Sequence, residues 1–185
     1  MCDDDIIPEG YTRVSDVLKP FRNFSMISPE VLENAALRGE KVHKYCELYA
    51  SNMLFEDVSK ECEGYVKSFK EWFDSNNVKP LYMEKRLNCP ENMITGRFDM
   101  IAMINDEYYL IDLKTSAKPS LAWDLQLAAY KMLIFYYMDI VIKYRMTIML
   151  SKTGKKARSI VYEDDNKKID MFLNALELYR FFEKE

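Results

Sequence analysis

Two aspartates, each set inside an apolar run, and a lysine two positions past the second are the residues in this chain best placed to do chemistry. They are Asp99 in GRFDMIAMI, and Asp112 and Lys114 in YYLIDLK. Between the runs sits Asn105-Asp106, a dipeptide type that favours the tight two-residue loops of β-hairpins. With that loop, Ile104 faces Glu107, and stepping back along both arms puts Asp99 opposite Asp112. Directly opposed residues of an antiparallel pair share a face, with Cβ atoms roughly 4.5–5.5 Å apart. Lys114 falls on that face about 6.6 Å further along. Two carboxylates and an ammonium among apolar neighbours are costly unless they bind something. A divalent metal ion answers that need.

The elements that must position these groups can be read from periodicity and punctuation. Ser28-Pro29-Glu30 offers a capping hydroxyl, a proline at the first helical position and an acidic first turn. The helix it starts is expected to run to about residue 55, weakened at Gly39, and it carries Arg38, His43 and Glu47. A second helix is expected over 58–75, where Tyr65, Phe69, Trp72 and Phe73 are spaced as one buried face rather than as a base-stacking surface. Strands are expected over 81–87, which includes Glu84, then over 94–104 and 107–115. In the hairpin, Asp99, Ile101, Met103, Leu110, Asp112 and Lys114 share one face. Phe98, Met100, Ala102, Ile104, Tyr109, Ile111 and Leu113 share the other. Both faces are largely apolar, so helices should cover the sheet on both sides.

Pro119 opens a helix through about residue 138, on which Gln126 and Tyr130, four apart, lie on one side. A hairpin over 144–150 and 159–162 follows, joined by the basic loop SKTGKKAR with Lys152, Lys155, Lys156 and Arg158. The last helix is expected over 164–183. Residues 1–27 read as irregular apart from one helical turn at 14–18. The order predicts an α/β fold with a mixed central sheet. It also predicts one domain over 1–185: a helical part (1–80), a catalytic sheet and helix (81–163) and a final helix (164–185).

The totals fit a globular protein: 185 residues, 49% hydrophobic and 30% charged. The net charge of −4 gives no overall basic signature, so any polyanion must be held by local positive charge. The basic loop is one candidate; Arg38, Lys41 and Lys44 around His43 are another. Cys2, Cys46, Cys62 and Cys89 are scattered without a CxxC spacing, which reads as reduced thiols of an intracellular, cytoplasmic protein. The N-terminus is acidic and lacks the apolar core of a signal peptide. The longest apolar run is too short to cross a bilayer, so no membrane association is expected.

In order along the chain, Arg38-Gly39 leading to His43, Gly96-Arg97-Phe98-Asp99, Asp112-Leu113-Lys114, and Gln126 to Tyr130 resemble the PD-(D/E)XK nuclease superfamily. The likeness is closer to its RecB-like exonuclease branch, whose pattern is an early helical histidine, then GxxD, DxK and QxxxY. The resemblance implies a restriction-endonuclease-like α/β/α sandwich. It implies Asp99, Asp112 and Lys114 as catalytic residues, with His43, Asp99, Asp112 and the backbone of Leu113 as ligands of Mg²⁺ or Mn²⁺. Gln126 and Tyr130 would contact DNA or support the lysine, Arg38 and the basic loop would meet phosphates, and Glu84 and Glu47 would be accessory acids.

The expected activity is that of a metal-dependent DNA exonuclease of phage or bacterial-type recombination or repair. The alternatives are a structure-selective or site-specific endonuclease, and a catalytically silent nucleic-acid-binding protein. Expected partners are DNA, a separately encoded strand-annealing protein or helicase, and further copies of the chain. The sequence departs from some relatives. Its last cysteine, Cys89, precedes the catalytic strands, so no iron–sulfur cluster is expected, and no GxxxxGK[ST] loop is present.

Overall fold

In the computed structural model, which describes residues 6–22, 27–55, 57–163 and 166–183, the hairpin arises as the turn chemistry predicts. Asn105 and Asp106 have φ of 49° and 63°, the pair of positive values a type I′ turn needs. Ile104 faces Glu107 and the register continues as far as Met100 facing Ile111. The two arms are β3 (Ile94–Ile104) and β4 (Glu107–Lys114). β2 (Lys79–Cys89) pairs antiparallel along the outer side of β3. β5 (Tyr144–Met149) lies parallel to β4, and β6 (Arg158–Tyr162) lies antiparallel to β5. A two-residue strand β1 (Thr12–Arg13), with no counterpart in the expected elements, pairs parallel with Ile94 and Thr95. The mixed six-stranded sheet runs β1-β3-β4-β5-β6, with β2 attached to β3.

Helices cover both faces. α2 (Pro29–Ala50) and α3 (Glu63–Ser75) close one core around Val42, Cys46, Phe69, Trp72, Met100 and Ile111. α1 (Val14–Val17), α4 (Ala122–Met138) and α5 (Lys167–Phe182) close the other around Val14, Leu18, Phe98, Ile101, Leu133 and Phe172. This is an α/β/α sandwich. The Ser28 hydroxyl caps α2 through the Val31 amide at 3.4 Å. Tyr65, Phe69 and Trp72 are buried as core. Helix ends differ from expectation: α2 stops at Ala50, α3 starts only at Glu63, and α4 starts at Ala122. The expected start of the last helix, at 164–165, lies outside the described residues. Among the described residues no helix is long and apolar enough to cross a membrane.

One departure from strict alternation sets the geometry of the site. Strict alternation puts Phe98 with Met100, but Phe98 packs with Leu18 and Ile101 in the α4-side core while Met100 packs in the α2-side core. β2 changes sides at the same level: Met83 lies against the α2-side core and Leu87 in the α4-side core. With Met83 facing Met100 and Lys85 facing Phe98, the residues at the crossover are Glu84 and Asp99. Glu84 takes φ of 48°, a left-handed conformation that costs a side-chain-bearing residue about 1–2 kcal/mol.

Gly96 sits just before this crossover. A Cβ there would meet the Tyr130 ring at 2.7 Å and Leu133 at 3.0 Å, so a glycine lets α4 settle against β3. Gly96→Ala is expected to destabilise the protein by about 1–3 kcal/mol through overpacking, as measured by the shift of a urea unfolding midpoint.

Candidate active site

The crossover brings three ligand-type side chains together. Glu84 Oε1 and Asp99 Oδ1 each lie 3.5 Å from His43 Nδ1. All three ligand atoms fall within 4.8 Å of one another. The other ring nitrogen, His43 Nε2, is 3.0 Å from the carbonyl oxygen of Leu113. A carbonyl only accepts, so Nε2 carries a hydrogen and Nδ1 is left facing two carboxylates. A bare lone pair there would repel both, so the position calls for a cation: a proton or a metal ion.

Asp112 belongs to a neighbouring group. Lys114 Nζ donates to its Oδ1 at 2.9 Å and lies 2.8 Å from Oδ2, a charge contact that leaves this buried oxygen without a directed hydrogen bond. The same ammonium donates to Gln126 Oε1 at 3.3 Å and stands 5.8 Å from the centre of the Trp123 ring. Gln126 Oε1 also accepts from Arg22 Nη2 at 3.4 Å, and its Nε2 donates to the Tyr130 hydroxyl at 2.9 Å. One bond ties the two groups: the Leu113 amide donates to Asp99 Oδ2 at 2.6 Å.

Asp99 and Asp112 lie one step past the paired ladder and take different partners. The paired ladder ends at Met100–Ile111. Past it the Asp99 carboxylate, not the β3 backbone, accepts the β4 amide. Asp99 faces His43 on α2, and Asp112 pairs with Lys114, which in turn bonds Gln126 on α4. Glu84, expected only as an accessory acid, stands among the three converging side chains.

Of the remaining expected residues, Glu47, one turn along α2 from His43, pairs with Lys44 at 2.8 Å. Lys41 pairs with Glu61 at 2.8 Å, so neither lysine is a free positive charge beside His43. Arg38 stacks over the Tyr65 ring at 5.9 Å. Lys152, Lys155, Lys156 and Arg158 are exposed, in a segment that leaves the sheet where the Leu150 amide donates to the Lys114 carbonyl. The Ser151 amide bonds Ser68 Oγ at 3.0 Å. Gly64 lets α3 meet this loop, because a Cβ there would lie 1.8 Å from the Lys152 carbonyl oxygen.

Arg22, Arg97 and Trp123 also stand at the site, and residue types and spacing alone do not single them out. Arg97 Nε lies 2.9 Å from Glu84 Oε2, and its place inside GRFD was the available clue. Nothing in the irregular segment around Arg22 pointed to the site.

Charge follows this geometry. Burial works against a charged His43, but Asp99 and Glu84 outweigh it and hold its pKa well above the ordinary histidine value. Burial raises Asp99, yet His43 and Lys114 pull it below the usual aspartate value. Burial raises Asp112 to about 6, with Lys114 offsetting only part of it and Asp99 adding repulsion.

An imidazole nitrogen with two carboxylates, and a histidine whose second nitrogen is fixed by a backbone carbonyl, fit a divalent metal ion. Binding would displace the proton held by His43. Titration with Mn²⁺ at neutral pH, in buffers of different ionisation enthalpy, should show release of about one proton per ion and affinity rising with pH. Heats independent of the buffer would contradict this.

Comparison with known proteins agrees with the fold. A sequence search of curated proteins finds no match. Among solved structures the chain is similar to an alkaline exonuclease from Laribacter hongkongensis, with a TM-score of 0.52 at 10% identity, over 92% of this chain and 86% of that one. It is also similar to a protein of Eubacterium rectale provisionally named an exonuclease, with a TM-score of 0.51 at 13% identity, over 91% and 77%. At such identities the likeness concerns the fold. The family model of the PD-(D/E)XK nuclease superfamily matches residues 16–163, which span the crossover, both groups of side chains and the basic loop. The chain belongs to the PD-(D/E)XK nuclease superfamily.

Proposed function

We propose that this nuclease is a Mg²⁺- or Mn²⁺-dependent exonuclease acting on DNA. The observation that carries the reading is the adjacency of two groups: His43, Glu84 and Asp99 around one cation position, and Lys114 with Asp112 and Gln126 beside it. In this reading His43, Glu84 and Asp99 hold the metal, and Asp112 Oδ2, buried without a directed hydrogen bond, is the next oxygen available to it. A bound divalent ion supplies positive charge against the phosphate and lowers the pKa of water.

Lys114 is the residue that handles the attacking water and the charge that develops on the phosphoryl oxygens. Asp112 and Gln126 fix its ammonium in place, so little reorganisation is left for the moment of reaction. Arg22 adds a second cation beside Gln126. A guanidinium there can take a phosphate oxygen in a forked contact. Lys152, Lys155, Lys156 and Arg158 supply the local positive charge that an acidic protein needs to hold a polyanion. The two similar structures, both named for exonucleases, support action from chain ends, and such action on DNA would suit recombination or repair.

The test compares end-labelled linear DNA with covalently closed circles, each with Mg²⁺, Mn²⁺ or EDTA. Metal-dependent loss of linear DNA with circles intact is the expected result. Cutting of closed circles would replace the reading by an endonuclease. Metal-dependent loss of RNA alone would overturn DNA as the substrate.

A further inference from the structure

Arg145 is a long cation almost wholly inside the protein, 2% exposed, and nothing in the chemistry above uses it. A buried arginine is expensive unless its donors are matched, so its partners show what it does. It is the second residue of β5, opposite Leu110 of β4 and Tyr162 of β6. Its Nη1 donates to Asp124 twice, to the carboxylate Oδ1 at 2.6 Å and to the main-chain oxygen at 2.8 Å. Its Nη2 donates to the carbonyl of Glu163, and the guanidinium lies 6.0 Å from the centre of the Tyr162 ring. Asp124 is in the first turn of α4, whose N-cap residue, Leu121, makes no side-chain capping bond. The arginine fork anchors that turn to the sheet instead.

The same turn leads straight to the catalytic lysine. Trp123 precedes Asp124 and lies under the Lys114 ammonium, and Gln126 follows two residues later and accepts from it. We propose that Arg145 is a positioning residue for the nuclease reaction: by fixing the first turn of α4 through Asp124, it sets Gln126 and Trp123 against Lys114. This rests on the reading of Lys114 as the residue that acts on the scissile phosphate. The coupling is geometric. Gln126 Oε1 is 3.3 Å from the ammonium, near the long end of hydrogen-bond range. A shift of about 1 Å in the turn would lose that contact, and misplacement on this scale costs about 10²-fold in rate.

Arg145→Lys keeps a positive charge under α4 but cannot bond the carboxylate, the Asp124 carbonyl and the Glu163 carbonyl with one rigid fork. Its kcat should fall by about ten- to a hundredfold. The KM for DNA and the Mn²⁺ half-saturation should stay within about twofold, because the cation cluster and the basic loop do not touch Arg145. The deciding measurement is a double-mutant cycle with Gln126→Ala, run below the melting transition of every variant. If Arg145 acts through the turn, Arg145→Lys should add little once Gln126 is gone. Unchanged kcat in Arg145→Lys, or losses that multiply fully in the double variant, would overturn the proposal. If Arg145→Lys does not fold, Asp124→Asn replaces it in the same cycle, with the same expected and contrary results. Failure of the nuclease reading is separable, since the wild-type protein would then show no metal-dependent cleavage at all.

Discussion

Lys114→Ala lowers the rate of metal-dependent phosphodiester cleavage by about 10³-fold or more, as expected when a preorganised charge is removed from where charge develops. The effect should be in kcat, because the cation cluster of His43, Glu84 and Asp99 does not include Lys114. The substitution also strips Asp112 of its partner. Asp112 is 2% exposed and takes a hydrogen bond from the ammonium at 2.9 Å. Removing one member of a buried pair leaves an uncompensated charge. Without Lys114 the Asp112 pKa climbs above its present value of about 6, so the folded state prefers the protonated acid more strongly. The loss of stability should therefore be largest at alkaline pH, about 1–3 kcal/mol, and fade as the pH falls below about 5. Urea unfolding of the variant and wild type at pH 5 and pH 8 measures this. An equal loss at both would show that the charge of Asp112 is not its cause.

Asp112→Asn should separate activity from stability in the opposite sense. Cleavage falls by a similar factor, since Asn cannot hold Lys114 by charge or offer an anionic oxygen to a metal. The metal-free protein becomes more stable at pH 8. Asp112 titrates at about 6 when folded against 3.8 in its reference state. The folded state thus binds the proton more tightly, and the ionised acid is a liability fully present above about 6 and absent below about 4. Two pKa units correspond to about 3 kcal/mol, so a gain of about 1–3 kcal/mol is expected at pH 8 and little at pH 4. A variant less stable than wild type at pH 8 would mean that Asp112 serves the fold rather than the site.

Much of this was legible in the sequence because it depends on local rules. The Asn105-Asp106 turn and the register it sets, the Ser28-Pro29 helix start, the buried stripe of α3 and the pairing of Gln126 with Tyr130 all follow from residues a few positions apart. What escaped depends on long-range contacts. Period-two alternation cannot show that both strands change face at Glu84 and Asp99, and this change is what brings both side chains to His43. Glu84, flanked by Lys85 and Arg86, looks like a solvated strand edge until its turned backbone brings it to His43. Arg22 reaches Gln126 from 104 positions away, and Arg145 reaches Asp124 from 21. Neither spacing has a periodic signature.

In the proposed reaction a cation position and a fixed lysine act together to hydrolyse DNA. The most direct test measures cleavage of end-labelled linear duplex by wild type and Lys114→Ala, purified identically, with Mg²⁺ or Mn²⁺ and then with EDTA. Cleavage by wild type with metal, none with EDTA, and almost none by the variant under either condition is the expected result. Cleavage that survives EDTA, or a Lys114→Ala protein that cuts as fast as wild type, would contradict it.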